Sequence, residues 1–134
     1  MTLTYLDASA AMKLVVEEPE SDALAEALAS GRRLVASWLL HTELQCAAGR
    51  HPDDVSPGAV HLVLNTVSLA DLTRGDLIAA GTHLPLRSND AIHLATAIRL
   101  GVGEMATYDA ELAAAAASAG LSVLAPSAPI SGGD

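Results

Sequence analysis

Short apolar segments alternate with stretches of helical periodicity along this chain of 134 residues, and this alternation constrains the fold more than any other feature. The helical stretches carry apolar residues at spacings of three and four, and several of them end at glycine. Strand-like runs are predicted at 2–6, 33–37, 67–72, 104–108 and 121–125. Because strands that alternate with helices form parallel sheets covered on both faces, we expect a three-layer α/β/α sandwich with a central parallel sheet of about five strands.

The length and composition of the chain predict a single domain. A hydrophobic content of 51% is ample for one buried core, which we place at 1–126, with a disordered tail at 127–134. The predicted helices lie at 7–16, 20–31, 38–49, 59–66, 73–84, 88–101 and 109–120, with a loop at 50–58. No apolar run approaches the roughly 18 to 20 residues that span a bilayer, and the N-terminus lacks a signal-peptide pattern, so a cytoplasmic protein without a membrane anchor is expected.

The charge balance limits how the chain could bind nucleic acid. Sixteen acidic residues against seven basic ones give a net charge of −9, which argues against a large basic binding surface. One Trp and two Tyr are also too few for a base-stacking platform. A polyanionic substrate would therefore need metal ions or a local arginine cluster. The single cysteine, Cys46, forms neither a disulfide nor a zinc pattern, and we expect a core thiol.

Three aspartates stand at predicted helix starts. Asp7 and Asp109 directly follow predicted strands, so both should project at the carboxyl edge of the sheet, and Asp90 begins a further helix. Each of them, taken singly, could simply cap its helix, because Asp is a favoured N-cap residue. At Asp90 the cap is redundant, since Ser88 and Asn89 could also serve. Asp90 therefore either caps a helix or belongs to a site.

Glu43 lies in the middle of a predicted helix, where no cap explains it. Its neighbours at spacings of three and four are Leu39, Leu40, Cys46 and Ala47, so its carboxylate belongs to an apolar stripe. Burying an unpaired carboxylate costs several kcal/mol, so Glu43 needs a cation, a donor network or access to water. A divalent metal would satisfy several acids together, because Mg²⁺ and Mn²⁺ prefer oxygen ligands. Four acids that converge on one edge would form a metal-dependent phosphodiesterase site.

Four segments in this order, "YLDASA", "SWLLHTEL", "RSNDAIHLATA" and "ATYDAEL", resemble the motifs of the PIN-domain family, and the last two resemble its VapC-type toxin branch in particular. The resemblance implies a parallel sheet between helices and an Mg²⁺- or Mn²⁺-dependent endoribonuclease. Such an enzyme acts on RNA as the toxin of a type II toxin–antitoxin system, pairs with a VapB-type antitoxin and forms a homodimer. The family's hydroxyl residues near the metals match Ser9 and Thr107. Its four acids, the implied metal ligands, fall on Asp7, Glu43, Asp90 and Asp109.

Two other functions stay open at this point. A receiver-like Mg-binding signalling module would need adjacent acids after the first strand and a lysine near the last one, yet no lysine follows Lys13; only Asp71, which follows "VSLA" in the third predicted strand, favours it. A catalytically silent PIN-like binding protein is the second. Two side chains near Asp90 also have open roles. His93, one turn later, could pair with Asp90 or be a packed or solvent-facing histidine, and Arg87 could contact RNA or the antitoxin or be a plain surface residue.

Overall fold

A computed structural model, which describes residues 1–128, contains the parallel sheet that the alternation predicts. The sheet has five strands in the order β3-β2-β1-β4-β5, and every neighbouring pair is parallel. The strands are β1 (Thr2–Leu6), β2 (Arg32–Ser37), β3 (Ser68–Ala70), β4 (Glu104–Ala106) and β5 (Ser122–Leu124).

Seven helices are found within the described residues, and with the sheet they form the predicted three-layer α/β/α sandwich. Each predicted helix is present. They are α1 (Ala8–Val15), α2 (Ser21–Leu28), α3 (Trp38–Arg50), α4 (Pro57–Asn65), α5 (Arg74–Ala80), α6 (Ser88–Leu100) and α7 (Ala110–Ser118).

The carboxyl halves of the central strands are the most deeply buried part of the sheet. The last three residues of β1 and of β2 are buried, as are the last two of β4. Tyr5 and Leu6 of β1 are fully buried among side chains such as Leu40 and Leu94 from the flanking helices. Burial of each such side chain contributes about 1.5–3 kcal/mol, so the edge that follows these strands rests on a well-buried part of the core.

The strand order locates the cleft. From β1 the chain continues to β2 on one side, whereas β4 pairs with β1 on the other side, so the order reverses between β1 and β4. Ligands of open parallel sheets bind beyond the carboxyl ends of the strands at such a point. The residues that follow Leu6 and Ala106 are therefore the first place to look for a site.

Several predicted boundaries were wrong by a few residues. Strand β3 has three residues instead of six, and β4 ends at Ala106, so Asp109 lies three residues past the strand rather than directly after it. Helix α5 ends at Ala80, four residues early, and α4 begins at Pro57 inside the predicted loop because Ser56 caps it. Short strands arise because only their central residues reach a hydrogen-bonded neighbour on the twisted sheet.

The prediction of a buried Cys46 was wrong. The cysteine is exposed, since the buried face of α3 consists of Leu40, Leu44, Ala47 and Ala48. Two residues further along a helix than Leu44, Cys46 is rotated by about 200° away from that face.

Part of the predicted tail, residues 129–134, lies outside the described residues, so the domain limits of 1–126 and 127–134 stay a prediction. None of the helices in the described part of the chain is long and apolar enough to cross a membrane.

Candidate active site

Asp7 is the first residue beyond β1 and the N-cap of α1. Its Oδ1 accepts a hydrogen bond of 2.8 Å from the backbone N–H of Ala10, so the capping role is real. The side chain is nevertheless almost completely buried, with 2% exposed. A cap on a surface helix needs no such burial. Capping alone therefore does not explain where this carboxylate lies.

Two hydroxyl groups tie Asp7 to the segment that follows β4. Ser9 Oγ lies 2.8 and 2.9 Å from the two Asp7 oxygens, and Thr107 Oγ1 donates to Oδ2 at 2.6 Å. Both hydroxyls also accept from backbone N–H groups, Ser9 from Tyr108 at 2.8 Å and Thr107 from Asp109 at 3.1 Å. Ser9 and Thr107 thus fix the Asp7 carboxylate and the β4–α7 connection relative to each other.

Burial and hydrogen bonding act in opposite directions on Asp7. Its pKa is raised above the ordinary value of 3.8, mainly because burial penalises the charged form, while the donors Thr107, Ala10 and Ser9 lower it. The donor shell therefore stabilises a carboxylate that burial alone would tend to protonate.

Asp90 is the third residue of α6 and does not cap it. The N-cap position is Arg87, and no side chain makes a capping bond there, so neither Ser88 nor Asn89 serves as the cap. Within residues 1–128 the Asp90 carboxylate accepts no hydrogen bond and forms no ion pair. Its position on the helix is therefore not explained by local hydrogen bonding.

The pKa of Asp90 is raised, first by burial and then by the negative charges of Asp109 and Asp7, with a smaller effect of Glu43. These couplings place all four acids in one electrostatic neighbourhood. Asp109 also caps α7, since its Oδ1 accepts from the Leu112 N–H at 2.8 Å. The charges of Asp7, Glu43 and Asp109 thus all act on Asp90, and two of these three acids, Asp7 and Asp109, are helix caps as well.

Glu43 points from the middle of α3 toward α6, with 18% of its side chain exposed. Its Oε1 lies 2.5 Å from Nε2 of His93, which is fully buried. His93 Nδ1 lies 2.7 Å from the Tyr5 hydroxyl, and burial raises the pKa of Tyr5 to about 12. The donor network that Glu43 required is therefore supplied by histidine.

Of the roles considered for His93, the packed one is correct and the pair with Asp90 was wrong. The spacing suggested Asp90 because the two residues are one turn apart, but the imidazole reaches across to α3 instead. Sequence reasoning missed Tyr5, whose only signal was its position near the end of the first strand, two residues before Asp7.

No lysine or arginine in residues 1–128 forms an ion pair with any of the four acids. The cations with ion-pair partners are engaged elsewhere: Lys13 with Glu18 and Glu20, Arg32 with Glu104, and Arg99 with Asp76. Arg87 is exposed at the start of α6 and makes no ion pair. Within residues 1–128, lysine and arginine therefore do not compensate the negative charges of this cluster, and His93 is the basic side chain in contact with it.

The donor chemistry of the cluster fits a hard divalent cation, which prefers carboxylate oxygen. Among the described residues, no three His, Cys, Asp or Glu side chains are close enough together to bind an ion as they stand. Magnesium does not require such a cage, because it usually keeps several waters and uses one or two carboxylates together with substrate phosphates.

The PIN domain family model matches residues 4–118, which include β2, β3, β4, most of β1 and all four acids. The chain therefore belongs to the PIN-domain family. Within that family it falls in the VapC branch: it is 43% identical over 134 residues to Ribonuclease VapC46 of Mycobacterium tuberculosis, an alignment that covers 95% of this chain and 100% of the relative. This membership excludes the receiver-like alternative.

Solved structures agree with the fold. A toxin–antitoxin complex from Klebsiella pneumoniae superposes with a TM-score of 0.69 at 17% identity, covering 92% of this chain and 97% of that one. VapBC2 from Rickettsia felis, bound to a DNA fragment from its promoter, gives a TM-score of 0.67 at 13% identity, with coverages of 92% and 98%. At these identities the likeness establishes the architecture alone.

Proposed function

We propose that this protein is a metal-dependent endoribonuclease that hydrolyses RNA phosphodiester bonds as the toxin of a toxin–antitoxin pair. The observation that carries the proposal is the acidic cluster at the switch point of the sheet, in which Asp90 has a raised pKa and no basic partner. The naming of the relative VapC46 as a ribonuclease supports the reaction type. The proposed site consists of Asp7, Glu43, Asp90 and Asp109 as metal ligands, with Ser9 and Thr107 beside them.

The donor set favours Mg²⁺ or Mn²⁺ over softer metals. Carboxylates are the available ligands, and both ring nitrogens of the nearest histidine, His93, are engaged by Tyr5 and Glu43. A divalent cation held there would polarise the scissile phosphate and lower the pKa of a water. Without it, the net charge of −9 and the acidic cleft would repel an RNA backbone.

The protein's own contribution to the reaction is the orientation and ionisation of the ligands. Asp7 receives hydrogen bonds from Ala10, Ser9 and Thr107, and a carboxylate can accept about four, so capacity for a cation is left. Hydrogen bonds from Thr107 and Ser9 lower the pKa of that carboxyl and so oppose the effect of burial. One oxygen of the Asp109 carboxylate accepts the capping hydrogen bond of α7, and the other oxygen is left for a cation.

The partner in this proposal is a VapB-type antitoxin with a basic segment, because a surface of net charge −9 attracts basic partners. The structural neighbours, a toxin–antitoxin complex and VapBC2, support such an assembly. The proposal also includes a homodimer and a location in the cytoplasm, as the family resemblance implies. Light scattering that finds only monomer at micromolar concentration would contradict the dimer.

RNA cleavage with and without EDTA tests the enzyme assignment. We expect cleavage in Mg²⁺ or Mn²⁺, none in EDTA, and a large loss for Asp90→Asn, since the amide keeps the shape but not the charge. Asp71→Asn is the matched control, because Asp71 is an exposed acid that directly follows Ala70 of β3 at the same edge. Asp71→Asn should cleave like wild type. Undiminished cleavage by Asp90→Asn in excess metal would refute the site.

Expression in cells tests the toxin role. Wild type alone should arrest growth, and co-expression with the antitoxin should relieve the arrest, whereas Asp90→Asn should be tolerated. If wild-type protein is harmless and cleaves no RNA in vitro, the catalytically silent binding protein is the correct interpretation.

A further inference from the structure

A chain of three hydrogen bonds runs from the backbone of β2 to the Glu43 carboxylate. The Ser37 N–H lies 3.0 Å from the Tyr5 hydroxyl oxygen, that oxygen lies 2.7 Å from His93 Nδ1, and His93 Nε2 lies 2.5 Å from Glu43 Oε1. The four residues come from β1, β2, α3 and α6. This series of hydrogen bonds therefore links β1 and β2 to α3 and α6, the helices that contain Glu43 and Asp90.

The direction of each bond follows from the first one. The backbone N–H of Ser37 can only donate, so the Tyr5 oxygen accepts there, and its own proton is available for donation to Nδ1 of His93, the direction that our proposal assigns. Nδ1 of His93 is then the acceptor, and in a neutral imidazole the proton is on Nε2. Nε2–H donates to Glu43 Oε1. With this arrangement every buried side-chain N and O atom in the described part of the chain has a partner.

The imidazole has little freedom to leave this geometry. Tyr5 and His93 are both fully buried, and their rings meet edge to face with centroids 5.5 Å apart. Tyr5 lies on the central strand of the sheet, whose packing fixes its position. A donor locked on both sides in this way fixes its acceptor more closely than a surface hydrogen bond could.

We propose that His93 is a positioning residue for the proposed metal centre: oriented by Tyr5, it binds Oε1 of Glu43 and so directs Oε2 into the cleft as the oxygen available to a cation. The nearest protein donor to Oε2 is the Asn89 amide at 3.5 Å, the outer limit of a hydrogen bond. Oε2 can therefore still coordinate a cation. The inference rests on the proposed function, because it assigns one side chain's part in the same site.

The tautomer of His93 in the metal-free wild-type protein is the first test. Long-range ¹H–¹⁵N NMR correlations near neutral pH distinguish a proton on Nε2 from one on Nδ1. We expect Nε2–H, and Tyr5→Phe should disturb this signature because the donor to Nδ1 is lost. A wild-type spectrum with the proton on Nδ1 would overturn the proposal, independently of any activity or metal.

Manganese binding, measured by titration calorimetry with Mn²⁺ alone, is the second test. His93→Leu removes the donor to Glu43, and we expect about 10- to 100-fold weaker binding, as is typical when a residue that orients a metal ligand is lost. His93→Gln places an amide N–H near the position of Nε2 and should restore most of the affinity. For RNA cleavage, His93→Leu should lower kcat more than it raises KM.

Thr96→Val is the matched control. Thr96 is buried on the same helix, but its hydroxyl bonds only to the backbone carbonyl of Ile92. We expect this variant to bind Mn²⁺ like wild type even if its melting temperature falls. Equal Mn²⁺ affinity of His93→Leu and wild type, or a loss in His93→Leu that His93→Gln does not restore, would refute the positioning role.

The outcomes separate the two proposals. A wild type with the Nε2 tautomer and rescued Mn²⁺ binding, but no RNA cleavage, supports His93 as a positioning residue and refutes the nuclease. RNA cleavage by a wild type with the Nδ1 tautomer supports the nuclease and refutes His93 as a positioning residue. If His93→Leu does not fold, the tautomer of wild-type His93 and the Mn²⁺ affinities of His93→Gln and Tyr5→Phe still decide whether His93 positions Glu43.

Discussion

Replacing Asp90 by Asn should raise the melting temperature of the metal-free protein, although it destroys the proposed site. The pKa of Asp90 is raised by burial and by the charges of Asp109 and Asp7, which means that its ionisation weakens the fold at neutral pH. Asn keeps the shape of the side chain and removes the charge. Differential scanning fluorimetry in EDTA measures the difference.

The opposing terms set the expected size. The variant loses a negative charge in the first turn of α6, worth about 0.3–1 kcal/mol, but no capping bond, because Asp90 accepts none. It no longer buries a charge and no longer repels Asp109 and Asp7, an effect that solvent screening reduces because the side chain is only half-buried. We expect a net gain between zero and about 1 kcal/mol, which is a rise of up to roughly 4 °C.

The pH dependence has a definite sign. Asp7 and Asp90 both have folded-state pKa values above the ordinary 3.8, so the folded state binds more protons than the unfolded one between those limits. As the pH falls from 7 through the raised values toward 3.8, protonation should remove the destabilisation from these two groups. The advantage of Asp90→Asn over wild type should therefore shrink in mildly acidic EDTA buffer.

Magnesium should reverse the order of stability. A ligand present at a hundredfold excess over its Kd stabilises the folded state by about 2.7 kcal/mol, and this should favour wild type far more than Asp90→Asn. The control is Glu111→Gln, since Glu111 is also a first-turn acid, on α7, but has an exposed side chain. Glu111→Gln should melt slightly below wild type and respond fully to magnesium. Equal magnesium shifts in wild type and Asp90→Asn would refute the reasoning.

Other perturbations test neighbouring contacts. Thr107→Val removes the strongest donor to Asp7, so the pKa of that carboxyl should rise further and the acid limb of the pH–rate profile should move to higher pH. An acid limb at the same pH as in wild type would show that this hydrogen bond does not affect the pKa of Asp7. Arg99→Met strips the partner from Asp76, which is 2% exposed and whose pKa Arg99 lowers, and urea unfolding should show a loss of about 2–3 kcal/mol at pH 7. This loss should disappear as the pH falls through the lowered pKa of Asp76, and an equal loss at pH 7 and at pH 2 would contradict an electrostatic origin.

The fold was predictable from sequence because its determinants are local. Apolar runs of strand length, helical spacing and glycine stops identify each element, and the alternation of elements dictates a parallel sheet. The ends of elements were less predictable. Where β4 stops depends on its pairing with β1 and β5, strands that lie far away in the chain. The sequence around Thr107 carries no sign of that limit.

The site was predictable only in part, for a similar reason. Glu43 stood out because a carboxylate in an apolar stripe needs a partner, yet the partner could not be read from the sequence. His93 lies 50 positions away on another helix, and Tyr5 is 88 positions from His93. The spacing along α6 suggested Asp90, not Glu43, as a partner of His93. The periodicity of one helix can show that a side chain needs a contact, but only packing decides which residue supplies it.

The bonds that fix Asp7 also control when a nuclease can exist during synthesis of the chain. Asp7 leaves the ribosome before its donor Thr107, which comes 100 residues later, and the Ser9 hydroxyl waits for the Tyr108 N–H. Domains fold as units while synthesis proceeds from the N-terminus. The proposed cleft therefore cannot assemble before residues 107 and 108 have been synthesised, and we expect a product truncated before residue 107 to lack both RNA cleavage and toxicity.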